Sequence, residues 1–209
     1  MRGLYLVTDR ACCGGRDLEL IVAQAVQGGV RCVQLREKDL ATRPFVELAR
    51  RLKTLLAPRG VPLIINDRLD VALAAGADGV HVGQEDMPVE DLRRHLGPRA
   101  LIGLSVETWA DVERAQEQAV DYLGVSPVFP TPTKTDTKAP WGLDGLARIR
   151  AWSRHPLVAI GGLHPDNVAA AVRAGAEGIA VVSAICASPG PLQAARELDD
   201  RIQAALRAR

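Results

Sequence analysis

Lysine, net charge and long apolar runs are what this chain has least of. Only four of its 26 basic residues are lysine, Lys38, Lys53, Lys134 and Lys138, so arginine serves almost wherever a surface cation suffices. A retained lysine is informative, because a compact ammonium on a flexible stem and a planar guanidinium do not exchange freely at a phosphate. Lys38 and Lys134 fall just past expected strands, whereas Lys53 falls mid-helix and needs no special role. The formal net charge of +1 provides no overall field to draw the protein onto nucleic acid or an anionic membrane, so any anion site must be local. No apolar run approaches the ~20 residues that a membrane-spanning helix needs, and no signal-like segment opens the sequence; a cytoplasmic protein is the expectation.

The four cysteines, Cys12, Cys13, Cys32 and Cys186, show neither metal-ligand spacing nor a secreted disulfide framework. They read as buried apolar filler, with Cys12 and Cys13 in a glycine-rich loop that can leave them more exposed. The four histidines do not assemble in sequence. His95 and His155 lie near expected helix ends and are expected at the surface; His164 is placed to cap a helix; His81, at a strand end, suits either a structural hydrogen bond or a site. Ser105 has no evident histidine partner, which leaves a nucleophilic triad unsupported.

What the chain does have is a repeated phrase. Residues 23–34, 72–82 and 170–182 each run from a helix end through a glycine break into a short apolar strand, the glycine suiting a left-handed position that caps the last carbonyls. Strands are expected near Tyr5, Val33, Ile64, Val80, Ile102, Leu123, Val158 and Ala180, with helices over 17–27, 43–56, 108–118 and 165–173. Strands apolar on both faces and alternating with helices indicate a parallel sheet covered on both sides. Eight such units close into a (β/α)₈ TIM barrel, with an open doubly wound sheet as the alternative. At 209 residues and 47% apolar, the chain suits one domain over 1–209. Residues 191–209 place Leu192, Ala195, Leu198, Ile202 and Leu206 at helical spacing, a last helix for the barrel wall.

In a parallel barrel, chemistry belongs at the C-terminal strand ends. The longest loop, 126–141, combines prolines, threonine hydroxyls and two lysines, and reads either as a cover closing over an anion or as a mobile surface loop. After the second strand, alternation puts Gln34, Arg36 and Lys38 on one side and Leu35 and Glu37 on the other: an amide and two cations at the mouth, or a solvated strand end. Asp67 and Asp86, after the third and fourth strands, suit a hard cation, since magnesium favours one or two carboxylates plus phosphate oxygens; helix capping would explain either one alone. Taken with Arg36, Lys38 and Lys134 they leave one formal positive charge, or three with Mg²⁺, which matches a diphosphate. Ser105 reads as a hydrogen-bond donor to substrate. Gly161-Gly162 and Val182-Ser183 occupy the loops after strands seven and eight, where this fold commonly cradles phosphate, with ordinary turn glycine as the alternative.

Taken together, Tyr5-Leu6-Val7-Thr8-Asp9, Val33-Gln34-Leu35-Arg36-Glu37-Lys38, Ile65-Asn66-Asp67, His81-Val82-Gly83-Gln84-Glu85-Asp86-Met87-Pro88, Pro130-Thr131-Pro132-Thr133-Lys134 and Ile160-Gly161-Gly162 resemble the thiamine phosphate synthase family from Leu4 to Ile185. The resemblance implies a (β/α)₈ transferase that joins a pyrimidine methyl diphosphate to a thiazole phosphate with Mg²⁺, giving thiamine phosphate and pyrophosphate. It implies that Gln34, Arg36, Lys38, Asn66, Ser105 and Lys134 hold the pyrimidine diphosphate, that Asp67 and Asp86 bind the metal, and that Thr131, Thr133, Gly162, Val182 and Ser183 hold the thiazole phosphate. Lys134, Ser105, Arg36 and Lys38 are the implied catalytic set. The implied partners are these small molecules, with neither nucleic acid nor membrane, and a homo-oligomer is left open. Three positions depart from the pattern: Glu107 where a histidine is common, Ser126 where glycine is common, and Arg68.

Two other readings remain at this stage. The thiazole tautomerase branch shares the fold but has a histidine where this chain has Pro127. A non-catalytic binder of phosphate ligands would have little need of Asp67, Asp86 and Lys134 together. The binder and the synthase part at Lys134: on replacing it with alanine, steady-state kinetics should show mainly lost turnover, and unchanged turnover would contradict a leaving-group role for this lysine.

Overall fold

The computed structural model describes residues 2–131 and 138–209. Eight parallel strands, β1 (Gly3–Val7), β2 (Cys32–Leu35), β3 (Leu63–Asn66), β4 (Gly79–Val82), β5 (Leu101–Val106), β6 (Tyr122–Val125), β7 (Leu157–Ile160) and β8 (Gly178–Val181), pair in chain order. The pairing of β1 with β8, Gly3 opposite Gly178 through Leu6 opposite Val181, closes them into a barrel. All eight strand positions expected from the sequence are met, and the open sheet is excluded.

Between the strands run α1 (Leu18–Gln27), α2 (Thr42–Leu56), α3 (Leu69–Ala75), α4 (Val89–Leu96), α5 (Trp109–Ala115), α6 (Gly142–Trp152) and α7 (Val168–Arg173), followed by α8 (Ser183–Cys186) and α9 (Pro191–Arg207). Helix starts follow local chemistry. Asp17 caps α1 by accepting the Glu19 N–H, and Thr108 and Asp111 form a reciprocal capping box at α5, which ends three residues earlier than periodicity suggests. The glycine breaks serve different purposes. Gly76 caps α3 in the left-handed conformation, as expected. Gly28 stays right-handed, at φ −81°; its reason is space, because a Cβ there would lie 2.4 Å from the Leu192 carbonyl oxygen of α9. In the third break Ala174 is the cap and Gly175 follows with φ +124°.

Strand alternation divides the apolar side chains into two compartments. Leu4, Leu6, Val33, Leu35, Ile65 and their counterparts point outward and pack beneath the helices. Tyr5, Val7, Cys32, Ile64, Tyr122, Val158 and Ala180 fill the barrel interior. Cys13, Cys32 and Cys186 are buried and Cys12 is half-buried, all as free thiols. His155 is buried rather than at the surface; its Nε2 lies 3.0 Å from the Ala115 carbonyl oxygen, which satisfies the ring, and desolvation lowers its pKa. Among the described residues no helix is long and apolar enough to cross a membrane. Phe45, on α2, is fully buried in the outer layer. Phe45→Ala should lower unfolding free energy by ~3–5 kcal/mol in urea titration, and a loss below ~1 kcal/mol would contradict this packing.

Candidate active site

The C-terminal mouth of the barrel holds two adjoining cavities of about 520 and 580 Å³ that share Ser126, Ile160, Ala180 and Val182 as a common wall. The first gathers Gln34, Arg36, Lys38, Asn66, Asp67, Asp86 and Ser105. The second gathers Thr131, Gly162, Val182 and Ser183. Every expected site residue that the structure describes therefore lines one of the two. Thr133 and Lys134 lie outside the described residues.

Arg36 is aimed by two contacts: its N–H donates to Thr8 Oγ1 at 3.0 Å, and its guanidinium lies 3.5 Å from Asp9 Oδ2. Glu37, on the opposite side as alternation requires, pairs with Arg10. Lys38 is exposed at the cavity rim. Lys138, given no role by the sequence reading, lines the same cavity, and its backbone N–H donates to Glu107 Oε2 at 3.4 Å. Glu107, at the position of a common histidine, thus belongs to this wall. Arg68 points away and pairs with Asp70.

Neither aspartate caps a helix by its side chain. The N-caps of α3 and α4 are Arg68 and Pro88, without side-chain cap bonds. Asp86 Oδ2 instead accepts the Gly83 N–H at 2.7 Å, and Asp67 Oδ2 accepts from Asn66 Nδ2 at 2.6 Å. Asp67 has φ +61°, the one left-handed non-glycine among the described residues, a conformation that costs free energy and that aspartate tolerates better than most residues. Desolvation and the neighbouring Asp86 carboxylate raise its pKa to about 6. Two carboxylates held this close, without helix ends to serve, suit a hard divalent cation that completes its shell with water and phosphate oxygens. Among the described residues no group of three or more acidic, histidine or cysteine side chains is placed to hold a metal ion.

The second cavity is built on Gly161 and Gly162, with φ +100° and +63°. A Cβ at Gly161 would lie 2.6 Å from Pro127 Cβ, and one at Gly162 would lie 2.6 Å from the Pro130 carbonyl oxygen, so these are close-approach glycines rather than ordinary turn residues. Val128 and Phe129 donate to the Ile160 and Gly161 carbonyls, fixing the stem of the loop after β6 to the loop after β7. Its other stem returns through Trp141 and Gly142, whose N–H groups donate to Pro127 and Val128. His164 is exposed and caps nothing with its ring; Asn167 does the bracing, accepting the His164 N–H at 2.9 Å and donating to the Gly162 carbonyl at 2.9 Å. Asn167 lies three residues past His164, a signal the sequence reading passed over.

Ser105 does have a histidine partner. His81 Nε2 lies 2.9 Å from Ser105 Oγ, and its Nδ1 lies 3.1 Å from the Tyr122 hydroxyl. A tyrosine therefore stands where a triad would place a carboxylate, so Ser105 is not furnished as a nucleophile.

A closed parallel barrel with a highly charged cavity, where Arg36, Lys38 and Lys138 face Asp67, Asp86 and further carboxylates, beside a glycine-walled cavity at its C-terminal mouth defines a (β/α)₈ protein whose candidate site lies where this fold places its chemistry. The sequence pattern described as Thiamine monophosphate synthase matches residues 4–185, and the chain belongs to that family. It is 61% identical over 96% of its length to the thiamine-phosphate synthase of Albidiferax ferrireducens, covering 92% of that protein. It superposes on the thiamine phosphate pyrophosphorylase of Pyrococcus furiosus with a TM-score of 0.89 at 35% identity, covering 98% of this chain and 96% of that one. The orotidine 5'-phosphate decarboxylase of Pyrococcus horikoshii, at 22% identity and a TM-score of 0.70 over 96% of this chain and 99% of that one, shares the barrel fold alone.

In metal-free protein the Asp67 carboxyl should titrate near 6 by carbon-13 NMR, and Asp86→Asn, which removes the neighbouring negative charge, should shift it downward. An ordinary value near 4, insensitive to that change, would contradict the pairing.

Proposed function

We propose that this chain joins 4-amino-2-methyl-5-(diphosphooxymethyl)pyrimidine to 4-methyl-5-(2-phosphooxyethyl)thiazole, or to its 2-carboxy form with loss of carbon dioxide, giving thiamine phosphate and pyrophosphate. The observation that carries this reading is the common wall of the two cavities: a diphosphate ester in one and a phosphate in the other would bring their reacting ends together beside Ser126, Ile160 and Val182. Holding the thiazole nitrogen within ~3–3.5 Å of the pyrimidine methylene replaces a rare encounter by a near-attack arrangement.

The carbon–oxygen bond to the diphosphate breaks first, its electron pair leaving with pyrophosphate, and the electron-rich aminopyrimidine stabilises the cation left at the methylene. The thiazole nitrogen then forms the new carbon–nitrogen bond. No protein nucleophile is required, in keeping with a Ser105 that lacks a triad. Gln34, Asn66 and Ser105 hold the pyrimidine end; Arg36, Lys38 and, by family pattern, Lys134 receive the negative charge that develops on the departing group. Asp67 and Asp86 would hold Mg²⁺, which when bound supplies further positive charge to that group. Thr131, Thr133, Gly162, Val182 and Ser183 take the thiazole phosphate by family pattern, and all of these but Thr133, which lies outside the described residues, line the second cavity. Water kept from the mouth cannot capture the cation, and the loop over 126–141, of which residues 132–137 lie outside the described residues, is the segment expected to exclude it. Four free thiols accord with a reducing, cytoplasmic setting.

Purified protein given both substrates and Mg²⁺, with each omitted in turn, should release pyrophosphate only when all three are present, with thiamine phosphate in equal amount. Folded protein that binds the thiazole phosphate yet releases none would favour a tautomerase or a binder.

A further inference from the structure

We infer that Tyr5, Tyr122 and His81 form a hydrogen-bond relay that sets opposite donor and acceptor preferences at Gln34 and Ser105, and thereby favours a 4-aminopyrimidine over its 4-oxo counterpart. The inference rests on reading the first cavity as the pyrimidine site.

Four hydrogen bonds cross the barrel interior without a break. Gln34 Nε2 donates to the Tyr5 hydroxyl at 2.9 Å, the Tyr5 and Tyr122 hydroxyls are 2.9 Å apart, the Tyr122 hydroxyl is 3.1 Å from His81 Nδ1, and His81 Nε2 is 2.9 Å from Ser105 Oγ. Both phenols are buried, which lifts their pKa values well above the ordinary range and keeps one proton on each oxygen. The strands make room for this layer. A Cβ at Gly103 would lie 2.4 Å from both His81 Nδ1 and the Tyr122 oxygen, and one at Gly124 would lie 2.9 Å from His81 Cε1.

Proton counting sets the direction. A phenol donates once, and His81, taken as the neutral imidazole, donates at one nitrogen and accepts at the other. Because Gln34 donates to Tyr5, the Tyr5 proton goes to Tyr122, the neighbouring Cys32 thiol being only a weak acceptor. The Tyr122 proton then goes to His81 Nδ1, so His81 Nε2–H donates to Ser105. Ser105, already accepting from His81, has its O–H to offer to the cavity, and Gln34 has its carbonyl oxygen and one remaining amide N–H. An acceptor on β2 and a donor on β5 match a 4-aminopyrimidine, which presents amino N–H and ring nitrogen. A 4-oxopyrimidine presents the reverse. Accepting it would require Gln34 to present its remaining N–H and Ser105 a lone pair in place of its O–H, against the order the relay sets.

The amino group also stabilises the cation, so selectivity is read from binding of the amino and oxo pyrimidine methyl monophosphates, by calorimetry. Wild-type protein should prefer the amino form by on the order of 10³-fold or more, and Tyr122→Phe should reduce that preference at least ~10-fold while leaving thiazole phosphate affinity within about twofold. Nitrogen-15 histidine NMR of the wild-type protein should show His81 with the proton on Nε2, the ring being assigned by its loss in His81→Asn. Undiminished selectivity in folded Tyr122→Phe, or a proton on Nδ1, overturns the relay. Should Tyr122→Phe fail to fold, Tyr5→Phe breaks the same path one bond earlier and is judged by the same ratio. Wild-type protein that binds neither pyrimidine refutes the functional reading instead, and the His81 tautomer then decides the relay alone.

Discussion

The pairing of β1 with β8 is the contact on which the rest depends. Until Leu6 meets Val181 the chain is a curved sheet, and the loops after its first and last strands lie at opposite edges. Closure turns eight separate strand ends into one rim, places alternate side chains inside, and sets Gln34 on β2 across from Ser105 on β5. It also gives the interior tyrosines their partners: Tyr5 and Tyr122, 117 positions apart, are joined by one hydrogen bond. That such bonds lie in a dry interior makes each stronger than in water and each unmet partner costly, which favours a single arrangement.

Charge at the rim is distributed with similar economy. Thr8 holds the Arg36 backbone N–H, and Asp9 lies 3.5 Å from its guanidinium, which lines the cavity. Asp67 and Asp86 are brought together at some electrostatic cost, visible in the raised pKa of Asp67 and in its left-handed backbone. A fold selected for stability alone would separate them. Their proximity is explained if a divalent cation and a diphosphate complete the charge balance, since preorganised groups need not rearrange while charge develops on the leaving group.

Much of this was legible in the sequence, for identifiable reasons. The strands announce themselves because each is short and apolar on both faces, and three of them close the repeated phrase of helix end, glycine break and strand. The rim residues follow because strand alternation alone sends Gln34 and Arg36 to one side. What was illegible required closure or context. His81 and Ser105 are 24 residues apart, and only the adjacency of β4 and β5 joins them. Tyr5 and Tyr122 read as ordinary strand aromatics, since nothing local says that their hydroxyls meet. His155 looks like a helix-end surface residue until the Ala115 carbonyl is found beside it. The aspartates illustrate a different limit: position before a helix predicts capping and metal binding equally, and only the absence of cap bonds separates them.

The central claim is that Asp67 and Asp86 together place a divalent cation against the departing diphosphate. Anomalous diffraction from crystals soaked with Mn²⁺ and pyrophosphate tests it directly. A single strong peak between the two carboxylates and in contact with pyrophosphate is the predicted result. Pyrophosphate bound at Arg36 and Lys38 with the metal elsewhere, or with no metal at all, would contradict it.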